Sequence, residues 1–250
     1  MEVGSIVFSD NYAELYDQIH SEKDYKNEMS RLTKILIELK ISKCNEILDF
    51  GCGTGKHIKE LHEIGFNISG YDININMIEK AKENNPNLNL YEHLSLVPKK
   101  FNFTYSLFDV ISYQISDHDL DVFMNQIIST IKPPGWIFLD GWHLPGLIQS
   151  PPVPRSKSFE HFGTKFKREV KVLSVDKLRI TKLDIKLTND DTKQEIISET
   201  HLMRAFDNDE IAKLIIKHKG CNIEFYDGSD YRLPLSSNSW RFAVLFKIGE

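Results

Sequence analysis

The chain has 250 residues and a mass of 29.0 kDa, enough for one large domain or for a core that carries a smaller one. Thirty-one Lys and Arg against thirty-six Asp and Glu give a net charge of −5, which provides no basic field for nucleic acid or an anionic membrane. The three cysteines cannot all pair and lack metal-ligand spacing, which predicts a reducing cytoplasm; the sequence also predicts no signal peptide and no spanning segment of roughly 20 apolar residues.

The first part of the chain alternates apolar strands with amphipathic helices. Apolar residues at helical spacing predict a helical segment over residues 10–40. The predicted strands cover residues 46–50, 67–71, 88–91, 101–107 and 136–139, and the predicted helices cover residues 56–64, 77–82 and 120–131, the last capped by Asp117. This alternation predicts a parallel, doubly wound sheet.

The pattern changes after Trp142. Four prolines crowd residues 145–154, and the β-branched, period-two pattern of residues 166–203 predicts about three antiparallel strands with a hairpin turn at 189–191. A helix at 207–219 and strands at 223–226 and 240–247 then return to the α/β pattern. The sequence therefore predicts an antiparallel insertion in an α/β domain.

The strongest local signal is ILDFGCGTG over residues 47–55, where a strand ends in three alternating glycines and a helix follows. Glycines at these positions let the backbone turn tightly and approach a bound nucleotide closely. A P-loop would need glycine at position 50 and Ser or Thr at position 57, which hold Phe50 and His57. A dinucleotide fingerprint would place two residues between its last two glycines, whereas one residue separates Gly53 from Gly55.

An acidic residue, Asp49, lies two positions before the first glycine, Gly51, and completes a pattern that resembles class I S-adenosylmethionine-dependent methyltransferases. The segment IKPPG at 131–135 is similar to the Pro-Gly turn before their fifth strand, and YAELYD at 12–17 to the lid of small-molecule members. Segments 106–113, 140–143 and 198–204 are similar to N-methyltransferases of nucleotide-linked aminosugars and to relatives associated with surface-polysaccharide biosynthesis.

The resemblance implies a Rossmann-like α/β fold with a seven-stranded methyltransferase sheet and an antiparallel β insertion covering the active site. It divides the chain into an N-terminal helical lid (residues 1–40), a cofactor-binding domain (41–145 and 205–250) and the insertion (146–204). The implied cofactor is S-adenosyl-L-methionine, with S-adenosyl-L-homocysteine as product. A homodimer in the cytoplasm is compatible with this resemblance.

The resemblance also implies a cofactor site at the ends of the strands. Asp72 ends the second strand, about 20 residues after the glycine loop, where a carboxylate accepts hydrogen bonds from ribose hydroxyls. Ile73 and Met77 are predicted to pack on the adenine, and Asp49 to orient the methionine amino group. The family usually has Gly-Asp near the end of strand three; here Glu92 is the candidate for the adenine amino group. The other predicted cofactor residues are Tyr25, which would close over the methionine end, Gly51, Cys52, Gly53, Gly55 and Ser106.

Methyl transfer requires an acceptor lone pair held in line with the methyl group. An amine acceptor must be neutral, and a hydroxyl acceptor needs a general base. Tyr113 and His143 follow strands four and five, whose carboxyl ends face the ligand crevice, and are the predicted catalytic residues, Tyr113 first. The predicted substrate-binding residues are Tyr12, Trp142, His201 and Arg204, the last two as contacts to an anionic acceptor.

The acceptor stays open at this stage. An amine or hydroxyl of a nucleotide-linked sugar or another surface-polysaccharide precursor is preferred, with a phosphorylated small amine or a macromolecule as alternatives. Asp109 and Asp140 would suit metal-assisted O-methylation, but no third oxygen ligand is evident, so no metal is predicted. The sequence has no basic segment with interleaved aromatic residues, which argues against nucleic acid as the acceptor. A non-catalytic cofactor-binding subunit is the alternative from another class.

Overall fold

The computed structural model describes residues 9–175 and 179–249. The helices are α1 (Asp10–Ile19), α2 (Tyr25–Glu38), α3 (Lys56–Glu63), α4 (Ile75–Asn84), α5 (Asp117–Thr130), α6 (Leu144–Gln149) and α7 (Asn208–Lys217). The strands are β1 (Glu46–Phe50), β2 (Asn67–Tyr71), β3 (Asn89–Tyr91), β4 (Phe101–Ser106), β5 (Ile131–His143), β6 (Arg155–His161), β7 (Thr164–Val175), β8 (Ile180–Asn189), β9 (Glu195–Phe206), β10 (Gly220–Asp227), β11 (Asp230–Pro234) and β12 (Arg241–Ile248). Short 3₁₀-helices cover Leu94–Leu96 and Val110–Tyr113.

The central sheet has the order β3-β2-β1-β4-β5-β12-β10. The first five of these strands are parallel, β12 runs antiparallel to β5, and β10 runs antiparallel to β12. The strand order reverses between β1 and β4, so the carboxyl ends of these strands form a topological switch point, where open α/β sheets bind ligands. The predicted Rossmann-like α/β fold is confirmed, and the sheet is larger than seven strands because β11 pairs with β10 and the insertion joins β5.

Different helices cover the two faces of the sheet. On one face, Leu36 of α2 shares a buried cluster with Ile47 of β1 and residues of α3. On the other face, Met124 of α5 and Ile215 of α7 share a cluster with Leu48. Because adjacent strand residues point to opposite faces, Ile47 and Leu48 anchor these two layers from neighbouring positions. No helix within the described residues is long and apolar enough to cross a membrane.

The helical segment predicted over residues 10–40 is two helices with a turn between them. Asp24 caps α2 by accepting a hydrogen bond from the Asn27 N–H at 2.9 Å, which starts a new helix direction. The predicted cap of α5 is also corrected. Ser116, and not Asp117, caps this helix, in a reciprocal capping box with Asp119.

The insertion is a four-stranded antiparallel sheet in the order β6-β7-β8-β9. The sequence missed β6, which directly follows the proline-rich segment and contains no β-branched residue. At its end β9 pairs with β5 through Trp142 opposite Ala205. On the insertion sheet lies α1, whose Tyr12 and Leu15 share a buried cluster with residues of β7, β8 and β9.

The predicted domain boundaries stay a prediction. Residues 1–8 of the predicted lid, residues 176–178 of the predicted insertion and residue 250 lie outside the described residues. The insertion strands run on to Phe206, two residues past the predicted end at 204.

Docking of α2 on the sheet can be tested with two neighbouring side chains. Leu36 is fully buried, whereas Ile37 is 65% exposed. We expect Leu36→Ala to lower the free energy of unfolding by about 2–5 kcal/mol, because it leaves a cavity in the core. Ile37→Ala, the matched control, should change it by less than about 0.5 kcal/mol. Urea denaturation measures both; equal losses would contradict this placement of α2.

Candidate active site

The glycine loop lies between β1 and α3, at the switch point of the sheet. Gly51 has φ of 86°, a left-handed conformation, and a Cβ there would lie 2.8 Å from Cγ2 of Val110. Glycine is therefore required at position 51 both by its backbone conformation and by the close approach of the next loop. At Gly53, with φ of 53°, no heavy atom among the described residues lies within 4 Å of the point where a Cβ would stand, so this part of the loop faces open space.

Asp72 follows β2 and is hydrogen-bonded to the backbone of the glycine loop. Its Oδ2 accepts a hydrogen bond from the Gly53 N–H at 2.8 Å, and its Oδ1 accepts one from the Asn74 N–H at 2.8 Å. Burial raises the pKa of Asp72 above its ordinary value, and the two backbone hydrogen bonds oppose that rise. A carboxylate has about four lone-pair positions, so Asp72 retains acceptor capacity toward a ligand.

A cavity of about 950 Å³ extends from this loop to the insertion. On the loop side it is lined by the predicted residues Gly51, Gly53, Asp72, Ile73 and Met77 and by Phe50, Tyr71, Phe108 and Val110. On the insertion side it is lined by the predicted residues Tyr12, Tyr113, Trp142 and His201 and by Arg168 and Met203. The structure thus brings both groups of predicted residues to the walls of one cavity.

A second, smaller cavity of about 30 Å³ lies between the glycine loop and the N-terminal helices. The predicted residues Tyr25 and Cys52 line it together with Tyr16, and the Tyr25 ring stands edge-on to His57 at a centroid distance of 4.9 Å. Tyr25 therefore lies beside the glycine loop.

Helix α1 is fastened to the glycine loop by Asp17. Thr54 Oγ1 donates a hydrogen bond to Asp17 Oδ1 at 2.6 Å, and Lys56 Nζ lies 2.9 Å from Asp17 Oδ2. At the end of the same helix, His20 stands edge-on to Phe108 with ring centroids 5.2 Å apart. The helix therefore covers the cavity between the glycine loop and the turn that follows β4.

The turn that follows β4 is held by a largely buried ion-pair network. Arg241 Nε lies 2.8 Å from Asp109 Oδ1, and its Nη2 lies 2.6 Å from Asp140 Oδ2. The Asp109 N–H also donates to Asp140 Oδ1 at 2.9 Å. Burial raises the pKa of Asp140 to about 7, although the Arg241 charge opposes this rise. Both carboxylates considered for a metal are therefore engaged by one guanidinium group.

A hydrogen-bonded chain forms the polar part of the acceptor-side wall. The Tyr113 hydroxyl lies 2.9 Å from His201 Nδ1, and His201 Nε2 lies 3.1 Å from Glu199 Oε2. Beside this chain, the Trp142 and Trp240 rings are 5.0 Å apart and tilted. The wall combines hydrogen-bonding groups with aromatic surface, as small-molecule sites commonly do.

The predicted substrate-binding residue Arg204 and the predicted catalytic residue His143 lie outside the cavity lining. Arg204 Nη2 pairs with Asp117 Oδ1 at 2.7 Å and with Glu210 Oε1 at 2.5 Å, so its charge is used to join β9 to α5 and α7. His143 is buried with Nδ1 2.8 Å from the Ser239 carbonyl oxygen, because it points to the opposite face of β5 from Trp142. In the described structure, neither Arg204 nor His143 therefore lines the cavity, and their predicted roles stay predictions.

Among the predicted cofactor residues, Glu92 is placed away from the cavity. Its carboxylate pairs with Lys82 at 2.9 Å near the end of α4. Gly55 caps α3 with φ of 79°. Asp49 and Ser106 are buried behind the loop, where the Asp49 carboxyl lies beside the Tyr105 hydroxyl. Burial raises the pKa of Asp49 well above its ordinary value.

Sequence reasoning missed Arg168, although a signal for it exists. Arg168 lies two positions from both Phe166 and Val170, which are buried, so the period of two places it on the inner face of β7. Side chains alternate between the two faces of a strand, so Arg204, three residues after His201, lies on the opposite face of β9. Glu199 has the parity of His201 and could have been found in the same way.

Comparison with known proteins identifies the family. A family model described as a methyltransferase domain matches residues 19–208, most of the chain. The chain therefore belongs to this methyltransferase family, which confirms the membership predicted from the glycine loop.

Two curated relatives are aminosugar enzymes. The chain is 27% identical over 144 residues to the dTDP-3-amino-3,6-dideoxy-alpha-D-glucopyranose N,N-dimethyltransferase of Streptomyces fradiae, covering 55% of this chain and 56% of the relative. It is 22% identical over 140 residues to the dTDP-3-amino-3,4,6-trideoxy-alpha-D-glucopyranose N,N-dimethyltransferase of Streptomyces venezuelae, covering 54% and 59%. The matched region spans somewhat more than half the length of these relatives.

Solved structures share the fold over the whole chain. The sugar N-methyltransferase KedS8 from Streptoalloteichus sp ATCC 53650 superimposes with a TM-score of 0.77 at 18% identity, covering 100% of this chain and 99% of that one. DesVI of Streptomyces venezuelae gives a TM-score of 0.75 at 18% identity, with 100% of both chains covered. At this identity the likeness shows the fold.

His20, at the end of α1, gives a prediction about how stability depends on pH. Burial lowers the pKa of His20 to about 3, and the charges of Arg168 and Lys23 contribute to this fall. The unfolded chain, in which His titrates near about 6.5, therefore binds more protons between these values, and stability falls as pH falls, by up to about 1.4 kcal/mol per pH unit.

We expect His20→Gln to flatten the fall in stability between about pH 7 and about pH 5, measured by urea denaturation. His62→Gln, at an exposed position of α3, is the control and should keep the wild-type slope. A wild-type slope in His20→Gln would show that His20 is not buried in its neutral form.

Proposed function

We propose that this protein transfers a methyl group from S-adenosylmethionine to the amine of a nucleotide-linked aminosugar. The observation that carries the proposal is the single cavity that runs from the glycine loop and Asp72 to the wall formed by Tyr113, Arg168 and His201. A volume of about 950 Å³ is at the upper end of ordinary ligand pockets, which suits a cofactor and an acceptor together. The family and the names of the two curated relatives support the choice of reaction and acceptor.

The loop side fits the cofactor. Asp72 has lone pairs left for two ribose hydroxyls, and Met77 and Val110 provide apolar surface for the adenine. The Asp49 carboxyl group, buried directly behind the loop, is a suitable acceptor for the methionine amino group, directly or through water. Tyr25 and Tyr16 lie on the methionine side of the loop. When bound, the cofactor supplies a methyl group on a positively charged sulfur, and the chain's own residues bind and orient it.

The insertion side fits an acceptor with an anionic part and an amine. Arg168 supplies a guanidinium group at the cavity wall, which suits a phosphate of a nucleotide-linked sugar. Trp142 and Trp240 supply aromatic surface, and the Tyr113 hydroxyl supplies a hydrogen-bonding group for the amine. Positioning of the amine lone pair is then the main contribution of the protein.

We also propose a cellular location and an oligomeric state for the enzyme. All three cysteines are free, in keeping with the reducing cytoplasm predicted from the sequence. The homodimer remains a prediction, and light scattering on the purified protein measures its mass directly.

The proposed reaction can be tested by mass spectrometry. The protein is incubated with S-adenosylmethionine and dTDP-3-amino-3,6-dideoxy-α-D-glucopyranose, with the 3-hydroxy sugar nucleotide and a phosphorylated small amine as parallel acceptors. We expect one or two methyl groups on the amine of the aminosugar nucleotide and none on the 3-hydroxy analogue. Methylation of the hydroxyl analogue alone would contradict the amine assignment. Cofactor binding without transfer to any acceptor would indicate a non-catalytic subunit.

The ribose role of Asp72 gives a binding prediction. Asp72→Ala should weaken S-adenosylmethionine binding by about 1–3 kcal/mol in calorimetry, because it removes charged hydrogen bonds. Glu92→Gln is the matched carboxylate control and should bind like the wild type, since Glu92 is engaged with Lys82. Full affinity in Asp72→Ala would remove Asp72 from the ribose site, and weakened binding in Glu92→Gln would return Glu92 to the adenine site.

Arg168 gives a prediction about the acceptor. Arg168→Gln should raise KM for the aminosugar nucleotide about 10- to 100-fold, because a charged contact to phosphate is lost, with S-adenosylmethionine affinity unchanged. Arg155→Gln, at an exposed position of β6, should leave both constants unchanged. Steady-state kinetics measures the effect. An unchanged KM in Arg168→Gln would mean that the acceptor's anionic part binds elsewhere.

A further inference from the structure

The chain of Tyr113, His201 and Glu199 joins two elements that are distant in sequence. Tyr113 ends the 3₁₀-helix after β4, whereas His201 and Glu199 lie on the inner face of β9. The imidazole uses both nitrogens, Nδ1 toward the Tyr113 hydroxyl at 2.9 Å and Nε2 toward the Glu199 carboxylate at 3.1 Å. Since a carboxylate accepts only, Nε2 carries a proton, and Nδ1 of a neutral ring is then the acceptor for the tyrosine.

The surroundings of His201 favour this arrangement. The residue is 2% exposed, and burial raises the pKa of Tyr113 well above its ordinary value, so the phenol keeps its proton and donates it. Among the described residues, the titratable and charged groups near the imidazole include Tyr113 from the 3₁₀-helix, Tyr12 from α1, Arg168 from β7 and Glu199 from β9. Leu183 of β8, opposite His201 in the sheet, is apolar.

Glu199 is fixed by the start of the lid helix. Its Oε1 accepts hydrogen bonds from the Ser9 backbone N–H at 2.9 Å and from the Ser9 hydroxyl at 2.6 Å. Its other oxygen, Oε2, contacts His201. The carboxylate is therefore oriented from outside the cavity and acts on the imidazole, not on a ligand, which makes Glu199 a positioning residue.

We propose that Tyr113, His201 and Glu199 form a proton relay that converts the bound ammonium group of the acceptor into the neutral amine. The ammonium N–H proton moves to Tyr113 Oη while the Tyr113 hydroxyl proton moves to His201 Nδ1, and the imidazolium is stabilised by Glu199. The amine keeps the lone pair of the broken N–H bond and uses it to attack the methyl group. This inference rests on the proposed function, because it presupposes an amine acceptor.

Kinetics against pH tests the relay. His201→Asn places an amide oxygen near the position of Nδ1, so it keeps a hydrogen bond for Tyr113 but takes no proton. We expect kcat/KM for dTDP-3-amino-3,6-dideoxy-α-D-glucopyranose to fall about 100-fold near neutral pH, with recovery as the pH rises and free amine forms in solution. Glu199→Gln should show a smaller loss, about tenfold, and move the acid limb of the profile to lower pH, because the imidazolium loses its counter-charge. Glu195→Gln, an exposed carboxylate of the same strand, should match the wild type.

A second measurement does not depend on turnover. Nitrogen-15 NMR of the histidine rings, with His201 identified by its absence in His201→Asn, should show the proton on Nε2 in the free protein. Adding the aminosugar nucleotide together with S-adenosylhomocysteine should convert His201 to the imidazolium form. A proton on Nδ1, or no protonation on adding the acceptor, would overturn the relay, as would a loss in His201→Asn that is the same at every pH.

The two proposals fail in different ways. A wild-type protein that methylates the aminosugar nucleotide while His201→Asn keeps the wild-type profile would overturn the relay and leave the proposed function intact. A wild-type protein that methylates no amine would overturn both.

Discussion

The architecture of this site depends on one largely buried guanidinium group. Arg241, on β12, pairs with Asp109 after β4 and with Asp140 on β5, so three strands of the sheet are joined at their ligand-binding edge. The pairing holds Phe108 and Asp109 at φ of 69° and 67°, conformations that cost on the order of 1–3 kcal/mol each in residues other than glycine. Removing one partner of such a pair leaves a charge without compensation and costs about 3–5 kcal/mol.

The shape of the turn determines the position of both walls of the cavity. Val110 packs against Gly51 so closely that a side chain there would collide, and the 3₁₀-helix that begins at Val110 carries Tyr113 to the opposite side of the cavity. The same short segment thus forms part of the cofactor wall and part of the acceptor wall. Phe108 extends from the turn to contact His20 of the lid.

Helix α1 also contacts both walls of the cavity. Helix α1 contacts the glycine loop through Asp17 and Thr54, and its start contacts the insertion through Ser9 and Glu199. One helix therefore touches both the loop that would hold the cofactor and the strand that carries His201.

The parts of this structure that depend on local sequence could be predicted. The run of apolar residues before Gly51, the alternating glycines and Asp72 indicated β1, the loop, α3 and the end of β2, because each is set by backbone geometry within a few residues. Positions whose role depends on strand parity were predicted less well. Trp142 and His143 are neighbours on β5 and cannot both face the cavity, and His201 and Arg204 lie on opposite faces of β9.

Long-range pairing could not be predicted from the residues alone. Nothing near Tyr113 in the sequence indicates that His201 will lie 2.9 Å away, 88 residues later. The same holds for two sets of ion pairs that depend on how the helices pack against the sheet. Lys82 pairs with Glu92, and Arg204 pairs with Asp117 and Glu210. These pairings decide which charged residues are available to a ligand. The charged residues that line the acceptor side could therefore be identified only from the structure.

The central claim is that the edge formed by the glycine loop and the β4 turn is a site for S-adenosylmethionine. Calorimetric titration of the wild-type protein with S-adenosylmethionine and, separately, with NADH tests it most directly, because both nucleotides would use a glycine loop and a ribose-binding carboxylate. The account predicts one S-adenosylmethionine site per chain and no binding of NADH. Binding of NADH without binding of S-adenosylmethionine would contradict it.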